Sequence, residues 1–260
     1  MGSGHGDVQH WFPIVLGKTM DDARREVYEL MHEHHGEGWS KEGDQWYYYD
    51  KNGKRVTGWQ EIDGETYYFA DDGHMWTGWA SFKDRKHYFM TDGRMAKDWK
   101  RIEGAWYYFG ESGVMVSAKW VQDGDQWYYV GDDGKMLAQT WFEWKGKKYY
   151  LNGYGAMVVN WKRVGRKWYF FGADGAMVTG WHDIDEAKYY LFPDGHMAQN
   201  EWVDGKWLNR DGSQTYPYVA KWITDDHGKR YIDDSGWFPK NTTQTIDGKE
   251  YEFDAQGYAH

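Results

Sequence analysis

Gly58-Trp59-Gln60-Glu61-Ile62-Asp63-Gly64-Glu65-Thr66-Tyr67-Tyr68-Phe69-Ala70-Asp71-Asp72-Gly73-His74-Met75 holds two turn signals around one aromatic run. Asp63-Gly64 is a two-residue hairpin turn. Tyr67-Tyr68-Phe69 has strong strand propensity. Asp71-Asp72-Gly73 turns the chain again, because Gly supplies the positive φ such turns need. The stretch therefore predicts a short β-hairpin. A lone two-stranded hairpin is marginal in water, so this one needs neighbours to cover its rings.

The neighbours are visible as a period. Trp39, Trp59, Trp79, Trp99, Trp120, Trp141, Trp161, Trp181, Trp202 and Trp222 recur every 20 or 21 residues. Tyr pairs or Phe variants keep the same step at Tyr47-Tyr48, Tyr67-Tyr68, Tyr88-Phe89, Tyr107-Tyr108, Tyr128-Tyr129, Tyr149-Tyr150, Tyr169-Phe170 and Tyr189-Tyr190. On this reading the first ring is Tyr in every regular unit. A turn Gly recurs at 53, 73, 93, 113, 134, 155, 175 and 195, with Met two residues later from Met75 to Met197 and Val56 in the first unit. Self-similarity at a fixed period is the signature of a repeat architecture. The expectation is an all-β chain, a β-solenoid of about eleven stacked hairpins of about 20 residues, in which neighbours bury what each hairpin cannot.

The ends differ from the middle. Residues 1–37 lack the repeat. Thr19-Met20-Asp21-Asp22 reads as a helix start, and Met20, Ala23, Val27, Leu30 and His34 form one stripe, predicting a short helix over about 20–34. Regular repeats occupy 38–200. Residues 201–260 read as degenerate capping repeats: Trp207 comes early, Met is gone, and Pro217 and Pro239 intervene. These C-terminal repeats are also a candidate homodimer surface.

Composition supports the architecture and removes other classes. Trp, Tyr and Phe number 19, 22 and 11, which is 20% of the 260 residues, so the core material is aromatic. There is no Cys, hence no disulfide, thiolate site or Cys nucleophile. The net charge of −10 makes nucleic acid a poor partner. No run of apolar residues is long enough to insert in a membrane. No signal peptide is visible. His32-Glu33-His34-His35 is a weak metal signal that a solvated helix end explains better, so no metal site is expected. The Asp-Gly clusters are turn chemistry. With no nucleophile elbow, phosphate loop or HExxH motif, catalytic residues and cofactors are not expected.

The informative position lies seven residues after each marker Trp. It reads Trp46, Thr66, Lys86, Trp106, Trp127, Lys148, Trp168 and Lys188. A place that accepts both Lys and Trp is partly open to solvent, so four large rings there are surplus to packing. Two Trp from one repeat and a Tyr from the next make three walls of a box. Such a box suits a quaternary ammonium group, which donates no hydrogen bond and is attracted by ring quadrupoles.

Units such as Gly104 to Met115 and Gly165 to Met177 resemble the choline-binding repeat of cell-wall-binding proteins, with GW, WYY and G-x-M elements together at the family's spacing. The resemblance covers residues 38–200 well and 201–260 loosely. It implies a left-handed β-solenoid, secreted or held at the cell surface, that binds choline on teichoic acids or another cell-wall polysaccharide. Carried over, the family's box gives Trp39, Trp46 and Tyr67; Trp99, Trp106 and Tyr128; Trp120, Trp127 and Tyr149; and Trp161, Trp168 and Tyr189. Units starting at Trp59, Trp79, Trp141 and Trp181 lack the hairpin Trp. Lys86, Lys148 and Lys188 would repel a cation, and these units resemble glucan-binding repeats. Trp144 is a candidate replacement for the ring missing at Lys148, on the other strand. About four choline boxes are therefore expected. A glucan-binding module and a ligand-free structural or dimerisation rod remain open alternatives.

Overall fold

In the computed structural model, which describes residues 36–260, each aromatic run folds back on the Gly-Trp strand before it. The helix expected over 20–34 and the His32 to His35 cluster lie outside the described residues. Among the described residues, twenty-two strands pair as eleven hairpins. The first five are β1 (Gly38–Glu42) with β2 (Gln45–Tyr49), β3 (Gly58–Ile62) with β4 (Glu65–Phe69), β5 (Gly78–Phe82) with β6 (Arg85–Phe89), β7 (Asp98–Ile102) with β8 (Ala105–Phe109), and β9 (Lys119–Asp123) with β10 (Gln126–Val130). Three regular hairpins follow: β11 (Thr140–Trp144) with β12 (Lys147–Leu151), β13 (Asn160–Val164) with β14 (Lys167–Phe171), and β15 (Gly180–Ile184) with β16 (Ala187–Leu191). The last three are β17 (Glu201–Val203) with β18 (Lys206–Leu208), β19 (Ala220–Asp225) with β20 (Gly228–Asp233), and β21 (Thr242–Ile246) with β22 (Lys249–Phe253). The described residues are all-β, as expected.

They form two compact units. One runs through Lys119 and takes in Val130–Lys135; the other holds Trp120–Tyr129 and Met136–His260. In both, the core is one ring or aliphatic side chain per hairpin. Phe69, Phe89, Phe109 and Val130 fill the first unit, and Leu151, Phe171 and Leu191 the second, all fully buried. These residues end their strands, ten positions after the marker Trp.

The turn Gly and the Met explain one another. Gly93 has φ +80°, and a Cβ there would collide with Met75 Sδ. The same holds for Gly113 with Met95 and Gly175 with Met157. Each thioether fills the space its Gly leaves, a close approach that suits Met's polarisable, adaptable chain. In the first hairpin this place belongs to Arg55, not Val56 as the sequence suggested. Tyr49 bridges Arg55 as Phe69 bridges Met75, and Gly73 faces Arg55 Cβ.

The C-terminal strands depart from the pattern. β17 and β21 pair in parallel through Trp202 and Ile246, giving a four-stranded sheet ordered β18-β17-β21-β22. Trp202 is a core residue here, 2% exposed and packed with Tyr231 and Ile246. The period nonetheless returns at Trp222, whose ring lies 4.8 Å from Tyr251.

Candidate functional site

The pairing register decides which rings meet. Trp59 is opposite Tyr68 and Glu61 is opposite Thr66. Side chains alternate along a strand, and directly paired residues share a face. The marker Trp and the position seven residues later therefore share one face of a hairpin. The positions one, three, eight and ten residues after the Trp share the other. Within each unit, the first face of one hairpin meets the second face of the next.

Three of the four expected boxes lie within a single unit. Trp39 lies 4.9 Å from Tyr67, ring centre to centre, at 66°, and Trp46 packs on the same cluster. Trp161 lies 4.9 Å from Tyr189 at 65°. Trp120 lies 5.3 Å from Tyr149 at 67°. The hairpin indoles that complete two of these boxes are half open to solvent: Trp127 is 39% exposed and Trp168 38%. Trp46 is half-buried, as is Trp106. The fourth trio has Trp99 and Trp106 in the first unit and Tyr128 in the second.

Main-chain hydrogen bonds hold the hairpin Trp positions. The Trp46 carbonyl accepts from the Met75 N–H at 2.7 Å, Trp127 from Met157 at 2.7 Å and Trp168 from Met197 at 2.8 Å. Each bond ties one repeat to the next, directly beside the ring in question. It uses no side chain, so the residue at that position is free to be Trp, Thr or Lys. Burial, then Asp123, raises the pKa of the Tyr128 phenol, and burial, then Asp211 and Asp185, raises that of Tyr189.

Two expectations need correction. In the third repeat the first ring is His87, not Tyr88. Trp79 pairs with Tyr88 as Trp59 pairs with Tyr68, so Tyr88 is the second ring. His87 sits 5.2 Å from Trp59, where the other repeats place Tyr. Trp144 does not replace the ring missing at Lys148. It lies three positions after Trp141, on the opposite face of the hairpin, and packs 6.2 Å from Trp120 and 6.3 Å from Tyr149. With Phe142 at 5.3 Å, it adds a further ring around Trp120. The apolar residues Ile62, Phe82, Ile102, Trp144, Val164 and Ile184 at this position, with Glu42 and Asp123 the exceptions, were the available signal.

Some rings already hold a cation of the chain itself. Arg55 lies 3.9 Å over Tyr47 and pairs with Glu42. Lys206 Nζ lies 4.9 Å over Trp181, whose indole N–H donates to Asp204 Oδ2 at 2.7 Å. The turn carboxylates are engaged locally. Asp50 Oδ1 accepts from the Asn52 and Lys54 N–H groups, both at 2.9 Å, and Asp133 and Asp174 accept likewise two residues on. Turn geometry therefore accounts for the Asp-Gly clusters. Two open clefts, of about 340 and 360 Å³, lie at the Lys-bearing positions beside Trp79 and Trp141.

The family described as "Choline-binding repeat" matches residues 37–78, 56–98, 76–120, 97–141 and 158–202, and a "Putative cell wall binding repeat" matches 139–157. No curated protein matches the chain. Among solved structures, CbpJ from Streptococcus pneumoniae is 29% identical over 70% of this chain and 72% of its own, with a TM-score of 0.61. Choline binding protein F from the same organism, solved in complex with ipratropium, is 32% identical over 66% of this chain and 63% of its own, with a TM-score of 0.55. The choline-binding domain of CbpL is 33% identical over 69% of this chain and 97% of its own, with a TM-score of 0.53. Neither these likenesses nor the described residues support the homodimer expected at the C-terminal repeats.

Proposed function

The chain belongs to the choline-binding repeat family, and from that premise we propose that it is a non-catalytic cell-wall-binding module whose aromatic boxes hold the choline groups of teichoic acid. The boxes that lie within one unit are Trp39–Trp46–Tyr67, Trp120–Trp127–Tyr149 and Trp161–Trp168–Tyr189. The observation that carries this reading is the recurrence of one arrangement. A marker Trp meets the next repeat's Tyr edge-on at 4.9–5.3 Å, next to a half-open position filled by a third ring. Ring faces bind ammonium groups with roughly 0.5–2 kcal/mol each. Arg55 over Tyr47 and Lys206 over Trp181 supply internal precedents for a cation on these rings. Ipratropium, which a relative binds, is a quaternary ammonium compound. No cofactor has a role in this chemistry. A surface location follows from the polymer it would hold.

Calorimetric titration with choline tests the reading. At least three sites of millimolar affinity are expected, with thermal stabilisation by mass action. Trp127→Ala should remove one site and leave the melting temperature nearly unchanged, since that indole is half exposed. Absence of choline binding in the parent protein would overturn the proposal. Global unfolding of Trp127→Ala would make that ring core.

A further inference from the structure

We propose that Arg163 reads an anion tethered to the quaternary ammonium in the Trp161–Trp168–Tyr189 box, so that this site prefers a choline phosphodiester to free choline. Lys41 stands in the same place beside the Trp39–Trp46–Tyr67 box. The inference rests on the choline reading of these boxes and adds to it a residue that sets ligand preference.

Charge at the position two residues after each marker Trp follows the residue across the hairpin. That position shares a face with the marker Trp, and its partner is the position seven residues after it. Where the partner is Trp, the residue is a base: Lys41 is opposite Trp46, Arg101 opposite Trp106 and Arg163 opposite Trp168. Where the partner is not Trp, the residue is an acid or Ser: Glu61 is opposite Thr66, Ser81 opposite Lys86, Glu143 opposite Lys148 and Asp183 opposite Lys188. The remaining regular hairpin, with Trp127, has Gln122 in that place. Cross-strand charge pairing accounts for the acids, as in Lys188 with Asp183 at 3.6 Å. An indole has no charge to pair, so the bases need another account. Lys41 lies over Trp46, with Nζ 5.7 Å from the ring centre. Arg163 has no such contact: it is exposed, and among the described residues it forms no ion pair, hydrogen bond or ring contact.

A base beside a cation site is unfavourable for a bare quaternary ammonium, because like charges repel. It becomes favourable when the ligand carries an anion a few bonds from the ammonium. A phosphodiester meets that demand. Its two free oxygens accept from the planar guanidinium fork, while the ammonium head stays among the rings. The local charge points the same way. From Asn160 to Phe171, the hairpin β13–β14 holds Lys162, Arg163, Arg166 and Lys167 and no acid, in a chain of net charge −10. Of these, Lys167 is paired with Asp194 at 3.3 Å. On the Tyr189 side the sign reverses: after burial, Asp211 and Asp185 raise the pKa of that phenol. The box thus runs from acids near Tyr189 to an uncommitted guanidinium opposite Trp168, and a zwitterion aligns with that polarity. Free phosphate lacks the ammonium that the rings hold, and free choline lacks the anion.

The test titrates the full chain with choline, glycerophosphocholine and inorganic phosphate in turn, while the indole N–H signals of Trp168 and Trp127 are followed by NMR. At Trp168, glycerophosphocholine should bind roughly threefold to fivefold tighter than choline, the gain expected of one exposed ion pair. That margin should shrink in about 1 M salt. At Trp127, beside Gln122, the two ligands should bind equally. Arg163→Gln should make them equal at Trp168 as well, and Gln122→Arg should create the preference at Trp127. A purely structural role for Arg163 would move both ligands together and leave their ratio unchanged. Equal affinities at Trp168 in the parent chain, a preference that survives Arg163→Gln, or shifts of the same size from inorganic phosphate would overturn the inference and leave the choline reading standing. No response of Trp168 to either choline compound would overturn both readings for that box.

Discussion

His87 is 6% exposed, and its Nδ1 has no hydrogen-bond partner. Burial lowers its pKa, a hydrogen bond to the Gly113 backbone opposes this, and Arg85 lowers it further. The unfolded chain therefore takes up a proton near 6.5 that the folded chain refuses. Stability from this residue is complete above that value and falls as pH drops below it, until the folded-state pKa is reached. The turn carboxylates Asp50, Asp72 and Asp133 are also lowered, so their contribution is present above 3.8 and is lost at lower pH, outside the upper part of the His87 window. Denaturant unfolding from pH 7 to 5 should show falling stability in the parent chain and a much flatter profile in His87→Tyr, with an unchanged parent-like slope in the variant refuting the assignment. His87 was legible only as a break in a Tyr series. One residue of slippage in reading Tyr88-Phe89 hid it, because both frames put aromatic rings on the run and only the strand register tells them apart.

At the scale of the hairpin, turn and strand came straight from local chemistry: Asp63-Gly64 and Asp71-Asp72-Gly73 fall where the strands end. Less visible was why Met and Gly keep step. Their relation spans two repeats and depends on a thioether occupying another hairpin's missing side chain. Two substitutions separate the roles of Gly. Gly165 has φ +62° with open space around it, whereas Gly175 has φ +74° and faces Met157. Gly165→Ala should cost roughly 1 kcal/mol for the left-handed backbone alone. Gly175→Ala should cost roughly 2–4 kcal/mol, because overpacking is added. Urea denaturation of both variants measures the difference; equal losses would mean that Met157 yields without strain. The main-chain bonds from the Met N–H to the hairpin carbonyl have no sequence signal at all, since any residue can supply them.

For the molecule as a whole, repeated weak sites matter through a repeated ligand. Linked sites on one chain convert later binding events into intramolecular ones. Replacing both Trp127 and Trp168 by Ala should remove two free-choline sites, yet weaken attachment to a choline-bearing polymer by roughly tenfold or more. Surface plasmon resonance on polymer and calorimetry with free choline read the two quantities; equal proportional losses would argue against simultaneous engagement. The places of the hairpin indoles were legible because they stand at known steps. The division into two units and the parallel pairing of Trp202 with Ile246 were not, since both depend on contacts that the 20-residue period does not encode.

The clefts beside Trp79 and Trp141 each draw on three successive hairpins: the floor from one, a wall from the second and an acid from the third. Complete clefts of this type must then trail hairpins by two, and deleting one hairpin from the interior would damage neighbours on both sides. Gain or loss of binding capacity in such a chain comes most cleanly by adding or trimming at an end.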